Sequence, residues 1–226
     1  MSASSSGNTR ALGLALAAAA AGCATIAATR DPLVFLAWLA LAAIPIGVWL
    51  GGARARDGAA AVPLWPWAAL VPGAWMIAFA ALAAERSFPG APWAACAWTG
   101  MFLAGFGLGR CAGHAVCGLA TTLAALGVVL GVLPAGAGLV SGAFSPAATA
   151  RLLDLSPVTQ LVESAGVDWM RNAALYEPAR TLDIGPELRG PFRGALAGPL
   201  WLLFGCGLAG CGALLRSRSA GPEPSV

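Results

Sequence analysis

Reactive side chains are few in this sequence, and their spacing decides what they could do. The only histidine, His114, stands between Cys111 and Cys117. Three-residue steps on a helix bring such groups toward one side, and imidazole with thiolates is a ligand set for a soft metal. No fourth ligand is evident, and deprotonating thiols beside lipid is unfavourable. His114 is therefore read as an interfacial histidine that meets water or a carbonyl. Arg110 shares the same tight turn, but guanidinium, thiol and imidazole crowded there do not supply the separate walls a Cys/His transpeptidase needs. Gly-x-Ser-x-Gly and His-Glu-x-x-His do not occur. Ser141-Gly142 has Leu139 where an intramembrane serine protease would show glycine. The sequence therefore assigns no catalytic, cofactor or metal residue, and the chain is not expected to be an enzyme.

The most informative polar stretch runs from about residue 142 to 193. It holds Arg151, Arg171, Arg180, Arg189 and Arg193 against Asp154, Glu163, Asp168, Glu177, Asp183 and Glu187, close to neutral. Ser145-Pro146 and Ser156-Pro157 each read as an N-cap followed by proline at the first helical position. After the second, Val158, Leu161, Val162, Ala165 and Trp169 fall on one apolar stripe. Gln160, Glu163, Ser164, Asp168 and Arg171 lie away from it. The pattern predicts an amphipathic helix of about four turns stopping near Asn172, suited to a membrane surface or to capping a bundle. Asp168, Trp169 and Arg171, toward its end, are the candidate docking residues for a partner. Trp169, Tyr176 and Phe192 read as apolar anchors of the loop beyond. So long a connection favours a docking role over mere linkage.

The elements that would carry these residues follow from composition. Of 226 residues, 58% are hydrophobic and 10% charged, against about 25% charged in soluble domains. Too few charges exist to coat a water-soluble surface. The charges also cluster, leaving uncharged runs near the roughly 20 residues a bilayer-spanning helix needs. The expected fold is all-α: a polytopic integral membrane bundle of about six spans, near 11–28, 33–50, 62–84, 92–109, 114–133 and 194–215. The segment 142–193 lies outside the membrane between the fifth and sixth. Ala20-Ala21-Gly22-Cys23 is similar to a lipoprotein cleavage box, but the usual leucine three residues before the cysteine is missing and the first span is read as retained. Pro45 should kink the second span, Arg54 and Arg56 should fall in a loop after it, and Pro134 should end the fifth. Within the spans no Asp, Glu, Lys or Arg occurs, which argues against a self-sufficient ion-coupled carrier. The net charge of +3 is carried by arginine without any lysine, and no basic stripe interleaves with aromatics, so nucleic acid is not an expected partner. The six cysteines fall in or beside apolar runs and read as small packing groups. Gly105 with Gly109, Gly127 with Gly131 and Gly194 with Gly198 suit close helix packing, within one bundle or across a homodimer seam.

Arg10, Arg54, Arg56, Arg110, Arg216 and Arg218 flank the ends that six spans place on one side. The positive-inside rule puts that side, with both termini, in the cytoplasm of a bacterial inner membrane. Arg30 and Arg86 flank the opposite ends, and Arg189 and Arg193, before the last span, argue the other way.

Six spans with inside termini and Ser-Pro-started helices before the last span, with Ser156-Pro157-Val158-Thr159-Gln160-Leu161 at the second start, make a layout that resembles ABC-2-type exporter permeases. The resemblance implies a membrane-spanning subunit acting as two copies, driven by a separate cytoplasmic ATP-binding subunit. The loop after the second span, with Arg54 and Arg56, would be the ATPase contact. Two departures stand out: Met1 to Thr9 is too short and polar for the amphipathic helix that usually opens such permeases, and the loop from Gly51 to Ala61 is short. The alternative is a non-transporting scaffold or assembly protein that binds its partner through the 142–193 segment.

Overall fold

A computed structural model describes residues 32–56, 90–112, 115–137, 146–167 and 194–219. Among these, all regular structure is helical. Helix α1 covers Pro32–Arg56, α2 Ala91–Ala112, α3 Val116–Ala137, α4 Pro146–Leu155 and α5 Pro157–Ser164. A 3-10 turn, Gly194–Leu196, leads into α6, Ala197–Ser219. The expectation of an all-α chain agrees with these elements. By length and composition, one of the described helices, Gly194–Leu215, is able to cross a membrane; the apolar stretches Leu36–Gly52 and Gly118–Leu130 are shorter. The runs 11–28 and 62–84 lie outside the described residues.

Among the described helices α2 is central, packed between α1 and α6. Glycines set both contacts. On one side, a methyl group on Gly105 would collide with the Ile44 carbonyl and one on Gly109 with that of Val48. In return, Gly47 and Gly51 of α1 press against the backbone of Phe102 and Phe106. On the other side, Gly100 and Gly107 of α2 meet Trp201 and Leu208, while Gly198, Gly205 and Gly212 of α6 meet Trp93, Gly100 and Gly107. Where no Cβ stands between two helices, their backbones approach closely enough for dispersion contacts along the whole seam.

The paired residues also give direction. Residue numbers rise together across both seams, so α1, α2 and α6 run parallel. Helix α3 starts just after α2 ends and lies along α1, with Leu41 Cδ2 3.6 Å from where a Gly127 Cβ would be. It therefore runs back the other way. A buried cluster sits toward the N-terminal ends of α1 and α2, where Leu36, Leu39, Trp98, Met101 and Phe102 meet Leu153, Leu161 and Val162. Trp98 is buried, donates its indole N–H to the Leu39 carbonyl at 3.0 Å and stacks on Phe102 at 5.7 Å.

Three local expectations are corrected. Arg54 and Arg56 lie in the last turns of α1, not in a loop, because Gly51 docks on α2 and holds the helix in register beyond the apolar run. Pro134 lies within α3, which continues to Ala137; a proline removes one hydrogen bond without stopping a helix. The amphipathic helix after Ser156-Pro157 has 8 residues, about two turns, and ends well before Asn172.

Candidate functional site

The candidate site is the end of the bundle that α4 and α5 cover. The sequence builds it from caps. Ser156 is extended (φ −75°, ψ 119°) and its hydroxyl accepts from the Thr159 N–H, with Pro157 in the first turn. That is the N-cap and N1 pairing expected from Ser-Pro. Because Ser156 directly follows α4, one carbonyl serves both helices: Leu153 O accepts from the Ser156 N–H at 3.1 Å and from Thr159 Oγ1 at 2.5 Å. Ser156 and Thr159 are buried at this joint, as is Ser164 at the last residue of α5, and each hydroxyl therefore needs the partner it has.

The other end of α5 is closed by Gly166 at φ 79°. Its N–H bonds to Glu163 O at 3.0 Å, and the Val167 N–H reaches back to Val162 O at 3.1 Å. These are the two bonds of a Schellman motif with glycine in the left-handed position, and Val167 packs on the cluster containing Val162. Gly90 lies against the backbone of Ser164 and Ala165, where any Cβ would clash. Val158, Leu161, Val162 and Ala165 are buried in the cluster shared with α1 and α2, so this stripe caps the bundle.

Gln160 and Ser164, on the polar side of α5, tie the cap to the last helix. The Gln160 amide donates to the Asp154 carbonyl of α4 and accepts from the Trp201 indole of α6. The Ser164 hydroxyl is within reach of Gln160 O (2.6 Å) and Gly194 O (2.9 Å). Beside this network lies an open apolar groove of about 220 Å³ lined by Gln160, Ala197, Leu200, Trp201 and Phe204. Chemically the site can hold and orient. Among the described residues, no three His, Cys, Asp or Glu gather as metal ligands.

Asp168, Trp169 and Arg171 lie outside the described residues, as does His114. Cys111 is exposed at the end of α2, and Cys96, Cys111, Cys206 and Cys211 are free thiols. Arg54 and Arg56 stand at the opposite end of the molecule from the cap, beyond the Gly51–Phe106 contact. They share that end with Arg110, whose guanidinium lies 5.8 Å from the centre of the Phe106 ring. Sequence reasoning missed Gln160 and Trp201 as a pair, because only the fold brings residues so distant in the chain together. It also missed Gly166, although a glycine followed by valine right after an apolar stripe is a readable stop signal. No protein-family model, curated protein or solved structure matches this chain.

Proposed function

We propose that this chain is a multi-pass protein of a bacterial inner membrane and serves as the membrane-spanning, permease-like subunit of an exporter, powered by a separate cytoplasmic ATPase. The observation that carries this reading is the placement of α4 and α5. Two short helices that begin at the prolines of Ser-Pro pairs fold over one end of the bundle and precede the last long helix in the chain, which is the layout the resemblance implies. The outward apolar faces support the membrane part of the reading. Leu203, Phe204, Leu214 and Leu215 of α6 and Leu126, Val128 and Val129 of α3 are each at least half exposed, a surface that suits hydrocarbon better than water.

Helix directions support it too. Parallel neighbours α1 and α2 start at one end of the bundle and finish at the other, as two spans of the same sense do. The described helices pack on one another through glycine seams, so a path would form between two copies of the chain rather than inside one.

Affinity purification of the full chain from native membranes in mild detergent tests the reading. A soluble ATP-binding protein is expected to co-purify, and R54E/R56E to lose it while α-helical content is unchanged. Clean recovery of the wild-type chain without any ATPase, from membranes where its neighbours are expressed, overturns the exporter reading in favour of a scaffold held through its capped end.

A further inference from the structure

Three contacts put the C-terminal end of α5, the start of α2 and the turn before α6 at one level. Gly90, next to the first residue of α2, lies against the backbone of Ser164 and Ala165. The Ser164 hydroxyl is 2.9 Å from the Gly194 carbonyl. The carbonyl of Trp93, near the start of α2, is 2.6 Å from where a Cβ on Gly198 of α6 would be. Gly194 is also the first residue of the stretch Gly194–Leu215, which is long and apolar enough to cross a membrane. The level where these three elements meet is therefore the level where that stretch begins. Two apolar side chains stand outward there: Trp93 is 44% exposed and Leu196 60%. From Leu196 the exposed apolar face runs on along α6 through Leu200, Leu203 and Phe204.

We infer that the phospholipid headgroup layer meets the bundle at this level, with Trp93 and Leu196 seated in it. The inference rests on the membrane reading above and adds a depth to it. The C-terminal end of α5, tied to Gly90 and Gly194, is held at the edge of the hydrocarbon and not out in the water. A lipid surface is the partner that fits, because the patch continues without a break into the exposed face of the one described helix able to cross a membrane. An indole is amphipathic: its ring favours an apolar layer and its N–H a polar one, and the headgroup level offers both. The depth of other residues follows. Leu203, seven residues beyond Leu196, lies about 10 Å deeper at 1.5 Å per residue, well inside a hydrocarbon core about 30 Å thick.

The test places one spin-labelled cysteine at a time, W93C, L196C or L203C, in an otherwise cysteine-free full chain in phosphatidylethanolamine–phosphatidylglycerol vesicles. Depth is read from collisions with oxygen, which concentrates in hydrocarbon, against collisions with a water-soluble nickel chelate. W93C and L196C are expected at one depth, among the headgroups, and L203C about 10 Å deeper. A W93C label as open to the chelate as one in bulk water overturns the inference, because the boundary then lies further along the bundle. A W93C label as deep as L203C overturns it in the other direction. P92C, one residue earlier and also exposed, reads the same level should W93C fail to fold, and circular dichroism of each labelled chain checks the fold. The membrane reading fails separately: an L203C label that meets the chelate as freely as in water shows that α6 does not cross, whereas a deep L203C with W93C in water overturns the boundary alone.

Discussion

Ser156 and Gly166 bracket α5, and each does something no other residue type does as well. The Ser156 hydroxyl accepts from Thr159 N–H at 3.5 Å, a long bond, but in a fully buried joint the N–H has no water to turn to. Ser156→Ala should therefore destabilise by about 1 kcal/mol, the ordinary worth of an N-cap, and Ser156→Asp should recover less than a solvent-exposed cap would, because its charge would be buried. Gly166 sits at φ 79°, where an added Cβ costs roughly 1–2 kcal/mol. Gly166→Ala should lower the melting temperature in detergent, while Gly118→Ala, in α3 with open space around it, should raise it slightly or leave it unchanged. Equal effects of the two glycine substitutions would mean that the cap does not depend on the left-handed turn.

At the scale of elements, the glycine seams make an asymmetric prediction. Gly105→Ala places a methyl group on the Ile44 carbonyl, and backbone cannot yield as a side-chain tip does. The helices must separate, at a cost of about 1–3 kcal/mol. Gly210→Ala faces open space on the outer side of α6 and should stabilise by roughly 0.5–1 kcal/mol through the helix propensity of alanine. Thermal unfolding followed by circular dichroism should separate the two variants clearly; coincident melts would remove the seam as a source of stability. The pairs read from the sequence fared unevenly for a physical reason. Gly105 and Gly109 do face a neighbour, whereas Gly194 has nothing within 4 Å and is a turn residue at φ 73°. Spacing alone says that two glycines share a helix face, not whether another helix lies opposite. The series Gly198, Gly205 and Gly212, which also meets α2, recurs every seven residues, two helical turns, and so leaves no signal at steps of four. Helix starts at Pro146 and Pro157 were legible because caps are local chemistry. The length of α5 was not, since the stripe continuing to Trp169 outweighed the break at Gly166. The network of Gln160 with Trp201 depends on tertiary contact and left no local trace.

For the molecule as a whole, the direction of each helix and the location of its charges must agree. Helices α1, α2 and α6 point the same way and α3 the other, and arginines gather where the three parallel helices end. In the proposed membrane setting, alternate spans of a six-span chain with both termini on one side have this same relation, because every second span crosses in the same sense. The positive-inside rule then assigns the arginine end to the cytoplasm. Helix α6 has 23 residues, about 34 Å at 1.5 Å per residue, enough for a hydrocarbon core of about 30 Å. A single cysteine at Leu196, 60% exposed in the turn before α6, should therefore react with a membrane-impermeant maleimide in intact cells when placed in a cysteine-free chain. One placed at Ser219, the last residue of α6, should react only after the membrane is permeabilised. Labelling of both positions from outside would show that α6 does not cross. The reverse pattern would place the arginines outside and leave Arg54 and Arg56 unable to meet a cytoplasmic ATPase. Agreement at both positions would put the α4–α5 cap on the outer face, the side from which an exporter releases what it carries.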